Sequence, residues 1–379
     1  MKRRDLLVGL AAVAGGCASA ATAPTTPTRG LWHSPSGALA IGQFPEFGEG
    51  LFAFDYRTMR VTPASTADLD VSRVEVIRRP FEVMSGGASL ASELAHRDDV
   101  RQRATIILIY GSGPAPKEAL DLWAFWFMNA GFAVITYDKR GSGASSGDWR
   151  EAELETLAAD ANAVIGGARA LGAPEPFIAW GGSQAGWIMP QLGAQRAISG
   201  MIMHAGSVMR PGEQIQAQVE AELRAYGFPE QEIEAALRYY ALDTDVSRGV
   251  RPWTDIEAAH REAAASGAEW ILGPPSPADA PDRTMIRLMA DFDPAPFWRA
   301  SNVPVLAIYG DKDWIVPADP NLAVLSRLVR ADVLETRVLG SANHLMFVAE
   351  TGLREEYRTL AQIHPEYFAA IANWLDGRF

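Results

Sequence analysis

Short apolar runs occur along the chain between residues 103 and 339. Most of them are nearly continuous rather than alternating, which is typical of parallel strands buried on both faces of a sheet. They read RATIILIY (103–110), FAVITY (132–137), PFIAWGG (176–182), ISGMIMHAG (198–206), VPVLAIYG (303–310) and VLETRVL (333–339). Segments with helical periodicity lie between or after them, namely KEALDLWAFWFMNAG (117–131), REAELETLAADANAVIGGARALG (150–172), NLAVLSRLVR (321–330) and PEYFAAIANWLDG (365–377). This order predicts a doubly wound α/β domain over residues 74–379, with a mostly parallel sheet.

The alternation of strands and helices stops between residues 208 and 300. Ile215 and Leu223 share one face of a predicted helix, and a second amphipathic pattern follows at residues 229–242. A third helix is predicted to begin at TDIE (254–257), which has the spacing of a capping box. We therefore expect a helical cap, about residues 208–300, inserted between two strands of the main sheet.

Residues 21–73 are expected to form a small unit before the α/β domain. A linker rich in Pro and Thr, TAPTTPTRG, ends at Gly30. Short alternating runs such as GLFAFDY follow, between turns that contain Gly and Pro. These patterns predict a few antiparallel strands in a β-rich appendage.

The first 20 residues have the features of an export signal. MKRRDLL supplies positive charge, and LLVGLAAVAGG is much shorter than the ~20 apolar residues that a membrane span needs. Ala18–Ala20 is a predicted cleavage site, and Arg3–Arg4 resembles a twin-arginine signal. Cys17 follows AGG, which is similar to a bacterial lipoprotein box and allows a lipid anchor. We expect an exported bacterial protein, either periplasmic or tethered to a membrane by lipid.

Composition excludes several classes of function. The chain has 379 residues and a net charge of −12, and 48% of its residues are hydrophobic. This acidity argues against nucleic acid, which requires a basic surface. Cys17 is the only cysteine, so a disulfide framework and a thiolate nucleophile are excluded. The sequence has no H-x-x-x-H pair, so zinc hydrolysis is not expected. We expect neither a metal nor a cofactor.

A nucleophile is indicated in AWGGSQAGW (179–187), which lies between a predicted buried strand and a predicted helix. Ser183 would sit on a nucleophile elbow, a turn so tight that the residues two positions away on either side must be small. Gly181 and Ala185 meet this requirement, although Ala185 departs from the usual G-x-S-x-G pattern. The motif predicts Ser183 as the nucleophile.

A serine nucleophile needs a base, and the base needs a carboxylate that orients it. In the chain order Ser, Asp, His, the acid follows a late strand, and Asp313 lies three residues beyond the end of VPVLAIYG. Asp311 is the local rival, with a bond to the backbone of the turn as its simpler role. His344, in LGSANHLMF after the next strand, is the predicted base. His204, which ends an apolar strand, is interpreted as a core residue.

Two backbone N–H groups are expected to form the oxyanion hole that stabilises the developing negative charge. One belongs to Gln184, directly after the predicted nucleophile. The other should come from the glycine-rich loop in LIYGSGPAP (108–116). Ser112 is the better candidate there, ahead of Gly111 and Gly113.

Together these motifs resemble those of the α/β-hydrolase superfamily over residues 74–379. IYGSGP is similar to that family's HGSGP oxyanion loop, with Tyr110 in place of His. YDKRGSGASSG (137–147) is similar to the loop after the fourth strand in serine aminopeptidase-like and esterase-like members, and LWHSPSGALAIG resembles one propeller blade of prolyl oligopeptidase-like enzymes. The resemblance implies the α/β-hydrolase fold and a serine hydrolase acting on a small-molecule ester or a short acyl or peptidyl substrate. Tyr110 and Trp187 are the predicted substrate contacts.

Several activities stay open, because this fold and triad serve esters, thioesters, lactones and peptides alike. A peptidase for free N-termini would want an acidic cluster in the cap, but the cap acids are predicted on solvated faces. They are Glu213, Glu220, Glu222, Glu230, Glu232 and Glu234. Ester hydrolysis is therefore preferred, with aminopeptidase-like activity second. A non-catalytic binding protein would predict broken motifs, and a dinucleotide site at residues 137–147 would need its third glycine closer and leading into a helix.

Overall fold

The computed structural model describes residues 29–34, 37–42, 52–63, 72–271 and 273–379. The predicted signal peptide, with Cys17 and the cleavage site, lies outside these described residues. Among the helices of the described ranges, none is both long enough and apolar enough to span a membrane.

An antiparallel sheet forms the N-terminal appendage. Within the described ranges its strands are β1 (Gly30–Ser34), β2 (Gly37–Gly42), β3 (Phe52–Asp55), β4 (Arg60–Pro63) and β5 (Ser72–Arg73), in the spatial order β4-β3-β2-β1-β5. The Tyr56 hydroxyl donates to the Leu122 carbonyl at 2.7 Å, and Arg29 Nη2 donates to Asp121 Oδ1 at 2.7 Å. The Tyr56 ring also meets the ring of Phe368 edge-on. These contacts fasten the appendage to the first and last helices of the main domain.

The main sheet of the described chain has eight strands. They are β6 (Val76–Ser85), β7 (Ala88–Arg97), β8 (Thr105–Ile109), β9 (Ala133–Tyr137), β10 (Phe177–Ser183), β11 (Met201–Gly206), β12 (Val305–Gly310) and β13 (Leu334–Leu339). Their spatial order is β13-β12-β11-β10-β8-β9-β7-β6. The pairs β6–β7 and β7–β9 are antiparallel, and the other neighbouring pairs are parallel. Strands β8, β11 and β12 are buried along their whole length, as their continuous apolar sequences predict.

Helices cover both faces of this sheet. In chain order they are α1 (Asp121–Asn129), α2 (Leu154–Ala170), α3 (Ala185–Ala194), α4 (Pro211–Ala225), α5 (Glu230–Ser247), α6 (Trp253–Ala265), α7 (Pro281–Met289), α8 (Ala295–Ala300), α9 (Ala318–Leu328) and α10 (Pro365–Asp376). The connections β8–α1–β9 and β9–α2–β10 cross the sheet in opposite directions, so right-handed crossovers put α1 and α2 on opposite faces. Helix α10 joins α1, where the rings of Trp126 and Phe368 stack at 4.7 Å.

Helices α4 to α8 lie between β11 and β12, where the sequence predicts an inserted cap. The cap has a small apolar core of its own, formed by Val219, Leu223, Phe228, Ile233, Ala236 and Trp270. The predicted capping box at residues 254–257 is wrong. Helix α6 begins one residue earlier, at Trp253, with Pro252 as its N-cap and no side-chain cap bond. The Trp253 indole N–H donates to the Ser276 carbonyl at 3.0 Å, a tertiary hydrogen bond at this helix start.

Candidate active site

Ser183 has a strained backbone conformation at the end of β10, two residues before α3 begins. Its φ is +53°, in the left-handed region, and a non-glycine residue held there costs about 1–3 kcal/mol. The turn is crowded, because a Cβ placed on Gly181 would lie 2.5 Å from the Cβ of Ala185. The bare Gly181 backbone therefore leaves room for the Ala185 methyl group, which explains the departure from G-x-S-x-G. The turn exposes part of Ser183 at the carboxyl edge of the sheet.

Asp313 and His344 come together on the loops that follow β12 and β13. The Nδ1 atom of His344 donates to Oδ2 of Asp313 at 2.8 Å, and the Asp313 side chain is fully buried. The other carboxylate oxygen accepts the backbone N–H groups of Ile315 and Val316, both at 2.9 Å. The carboxylate is thus held on both sides, and its bond to Nδ1 orients the His344 ring. Asp311, the rival acid, is exposed and lies 3.9 Å from Lys312.

The loops that carry Asp313 and His344 are in direct backbone contact. The Lys312 N–H donates to the Ala342 carbonyl at 2.9 Å. A side chain at Gly310 would collide with the same carbonyl oxygen, so the close approach depends on this glycine. The contact fixes the separation of the two loops before any side chain is considered.

His204 binds the backbone of the loop that carries His344, and the sequence did not predict this role. The Nε2–H of His204 donates to the His344 carbonyl at 3.1 Å, and its Nδ1 accepts from the Tyr367 hydroxyl at 2.7 Å. The Tyr367 oxygen in turn accepts the Trp180 indole N–H at 3.0 Å. Because an indole N–H can only donate and a carbonyl can only accept, every bond of this chain has a defined direction. Burial lowers the pKa of His204 to about 3.

The position of His204 in the sheet connects this chain to the nucleophile. His204 pairs in register with Gly182, the residue before Ser183. The His344 loop is therefore anchored one strand away from Ser183. The only signal in the sequence was a histidine at the end of an otherwise apolar run, and that signal does not reveal its hydrogen-bond partners.

The loop predicted to supply an oxyanion donor lies against the Ser183 turn. A Cβ placed on Gly111 would be 3.1 Å from the Cβ of Ser183 and 3.3 Å from the Gly182 carbonyl oxygen, so a glycine permits the close approach. Ser112 follows and is half-buried, and Gln184 on the other side of the nucleophile is buried. The two predicted donor residues thus belong to segments that touch each other beside Ser183.

The loop of residues 137–147 is fixed by buried charges. Asp138 accepts the backbone N–H groups of Lys117 at 2.7 Å and Ala144 at 2.8 Å. Arg140 donates two hydrogen bonds to Asp160 on α2, at 2.6 and 3.0 Å. The Lys117 ammonium also pairs with Asp138, at 3.3 Å. Since Lys117 and Asp160 both lie outside residues 137–147, the two ion pairs fasten this loop to neighbouring segments. Lys139, between them, points to the Ser183 region and was not singled out by the sequence analysis.

The two predicted substrate contacts differ in their surroundings. Trp187 is 3% exposed, and its indole N–H donates to the Met209 carbonyl at 2.7 Å. Its ring therefore packs beneath the start of the cap and has little surface left for a substrate, which argues against the predicted contact. Tyr110 is half-buried at the start of the loop that is predicted to supply an oxyanion donor, and its contact with substrate stays a prediction.

One acid of the cap corrects the prediction that these acids lie on solvated faces. Glu222 on α4 is fully buried and accepts from Arg354 Nε at 3.1 Å. Burial raises its pKa to about 7. Glu230 is exposed, as predicted, and Glu220 is half-buried; both bind Arg224. Helix periodicity placed Glu222 correctly on α4, but the segment that covers it lies 132 residues further along the chain.

Within the described residues there is no group of three or more His, Cys, Asp or Glu side chains that could hold a metal ion. No protein-family model matches the chain, and no curated protein sequence does either. The comparison with solved structures does find similar proteins.

The chain is similar to a hypothetical protein from Pseudomonas aeruginosa, with 15% identity and a TM-score of 0.54 over 86% of this chain and 98% of the other. It is also similar to a thermophilic esterase from Thermogutta terrifontis, with 18% identity and a TM-score of 0.46 over 79% and 98% of the two chains. A proline iminopeptidase from Mycobacterium smegmatis is 16% identical, with a TM-score of 0.49 over 79% of this chain and 98% of the other. The chain has the α/β-hydrolase fold, which confirms the fold predicted from the sequence.

Proposed function

We propose that the protein is a serine hydrolase that cleaves carboxylic esters through an acyl-enzyme intermediate. The observation that carries the proposal is the 2.8 Å hydrogen bond between His344 and the buried Asp313, at the same sheet edge as the strained turn of Ser183. A buried carboxylate bonded to Nδ1 orients an imidazole and stabilises its protonated form. The proposed reaction uses protein side chains and water, and it needs no cofactor.

In the proposed mechanism, Ser183 Oγ attacks the carbonyl carbon of the ester while His344 Nε2 takes the hydroxyl proton. Asp313 accepts the Nδ1–H bond and stabilises the imidazolium that forms. The C–O bond to the alcohol then breaks, and His344 gives its proton to the leaving oxygen. Water, deprotonated by His344, then attacks the acyl-serine. The C–O bond to Ser183 breaks, His344 returns the proton to Ser183 Oγ, and the acid is released.

The backbone N–H groups of Ser112 and Gln184 are the proposed donors to the oxyanion. Removing one such donor typically costs a factor of about 10² to 10³ in kcat. Because the donors are backbone groups, side-chain replacement at Ser112 should leave the hole in place. Tyr110 beside this loop is the proposed substrate contact.

An ester substrate fits the cap better than a peptide with a free N-terminus. A peptide amine needs a carboxylate that is free to bind it, and four of the six cap acids are paired with an arginine, namely Glu220, Glu222, Glu230 and Glu234. Aminopeptidase, amidase and thioesterase activities with the same triad are the second choice. Export to the periplasm or to a lipid-anchored position is proposed from the sequence of the first 20 residues alone.

A fluorophosphonate probe tests the nucleophile directly. It should label the wild type at Ser183, and Ser183→Ala and His344→Ala should each lower ester turnover by about 10⁴ to 10⁶. Ser112→Ala is the matched control, which should keep its labelling. Comparing p-nitrophenyl butyrate with butyryl p-nitroanilide separates ester from amide activity. Near-normal ester turnover by Ser183→Ala would show that another group is the nucleophile.

A further inference from the structure

Lys139 is a buried cation that the mechanism above does not use. It lies two residues beyond the end of β9 and is 5% exposed. Its ammonium donates to the Gly111 carbonyl at 2.7 Å and to Gln184 Oε1 at 2.8 Å, and the Trp149 ring centroid lies 5.0 Å from Nζ. Removing an ammonium from water is costly, and these partners are all neutral. Such a position requires a compensating role.

The two hydrogen-bond partners of Lys139 adjoin the two proposed oxyanion donors. Gln184 supplies one donor from its own backbone. The Gly111 carbonyl belongs to the same peptide unit as the N–H of Ser112, the other donor. Because a trans peptide unit is planar, its C=O and N–H point in opposite directions. A lysine that holds the Gly111 carbonyl therefore also fixes the direction of the Ser112 N–H.

We propose that Lys139 is a positioning residue of the oxyanion hole, which orients the Gly111–Ser112 peptide and the Gln184 segment through one ammonium group. The proposal rests on the proposed serine hydrolase function. A cation bonded to a carbonyl also polarises the peptide unit and strengthens its N–H as a donor. The oxyanion would thus feel the Lys139 charge through the peptide without touching the side chain.

Two charged residues, Asp160 and Arg150, lie near the Lys139 side chain. The carboxylate that acts on it is Asp160 of α2, which is already bound by two hydrogen bonds from Arg140. Arg150 also lies near this indole, 5.9 Å from the Trp149 ring centroid. Burial lowers the pKa of Lys139 to about 7, and Asp160 opposes this shift. A neutral amine keeps two N–H groups, enough for the Gly111 and Gln184 bonds, so the orientation survives deprotonation.

The test replaces Lys139 by Met, which has a similar length and no donor. We expect kcat for p-nitrophenyl butyrate to fall by about 10- to 100-fold, less than the loss of a whole oxyanion donor, with KM changed by less than about threefold. Phenylboronic acid, which forms a tetrahedral adduct with the catalytic serine, should bind more weakly by a similar factor. Lys117→Met is the matched control, because the Lys117 ammonium pairs with Asp138 instead of Gly111 and Gln184. This variant should keep the kcat of the wild type and its affinity for phenylboronic acid.

Two results would speak against a positioning role of Lys139. A Lys139→Met enzyme with unchanged kcat, or with a loss confined to KM, would overturn the proposal. If that variant does not fold, Gln184→Met keeps the charge and the backbone donor but removes one ammonium contact. Gln184→Met should lower kcat by a few-fold with KM unchanged. A Gln184→Met enzyme with the kcat of the wild type would contradict the positioning role of Lys139. Failure of the wild type to react with fluorophosphonate would instead refute the hydrolase function itself.

Discussion

The hydroxyl of Tyr367 lies in the middle of the buried chain that supports the His344 loop. It accepts the Trp180 indole N–H and donates to His204 Nδ1. Tyr367→Phe removes this one oxygen and keeps the ring, which also packs edge-on against Phe368. The substitution therefore leaves a buried donor and a buried acceptor unsatisfied without creating a large cavity.

The magnitude follows from the number of groups that lose a partner. Each unsatisfied buried polar group costs about 1–3 kcal/mol, so Tyr367→Phe should lower the free energy of unfolding by about 2–6 kcal/mol. Tyr56→Phe is the matched control, because the Tyr56 hydroxyl makes one buried bond, to the Leu122 carbonyl, and takes no part in the hydrogen-bond chain of Trp180, Tyr367 and His204. The Leu122 carbonyl lies in α1 and keeps its helical hydrogen bond, so this variant should cost only about 0.5–1.5 kcal/mol.

Urea unfolding measures the two stability losses, and ester hydrolysis measures the functional one. Tyr367→Phe should lower kcat as well as stability, because His204 can then change its tautomer and release the His344 carbonyl. Tyr56→Phe should leave kcat unchanged. Equal stability losses in the two variants, or an unchanged kcat in Tyr367→Phe, would refute the reasoning about this chain.

Three further predictions concern pH, substrate size and processing. Because burial lowers the pKa of His204 to about 3 while an unfolded histidine titrates near ~6.5, stability should fall as the pH drops below ~6.5, by about 2 kcal/mol between pH 7 and pH 5. His204→Gln should remove this share of the pH dependence. If the free energy of unfolding, measured with urea, changed equally with pH in both proteins, the prediction would be contradicted. Each methylene buried in an apolar pocket contributes about 0.8 kcal/mol, so kcat/KM should be higher for butyryl to octanoyl esters than for acetyl esters, and a short linker in place of the cap should flatten that profile. Mass spectrometry of the protein isolated from its bacterial host should find an acylated Cys17 or a free N-terminus near Ala21. An intact Met1 would contradict the predicted export.

Local patterns in the sequence predicted the parts of the fold that depend on burial alone. Continuous apolar runs marked β8, β11 and β12, because strands covered on both faces need no polar residues. Ser183, Asp313 and His344 were assigned because each follows a predicted strand, and parallel strands bring their carboxyl ends to one edge. The capping box failed because α6 begins at Trp253 after the N-cap Pro252, so Thr254 lies inside the helix and cannot cap it.

Long-range pairings could not be predicted in the same way. Lys139 binds groups 28 and 45 residues away, and no periodicity in the sequence connects them. Glu222 was placed on a solvated face because a helix pattern shows which side is polar, whereas the chain segment that covers that side is set by tertiary structure. His204 was assigned to the core correctly, but burial did not reveal that its ring binds the His344 loop.

The backbone contact between the loops after β12 and β13 restricts how this protein can be recombined with others. Gly310 and Lys312 of one loop both approach the Ala342 carbonyl of the other. A chimera with a crossover between residues 313 and 341 would take these two loops from different parents. If the other parent supplied the first loop with a larger residue at position 310, its side chain would collide with the Ala342 carbonyl of this protein. Crossovers outside residues 310–344 would transfer the two loops as one unit. Libraries built by shuffling should therefore yield active chimeras mainly with junctions of that second kind.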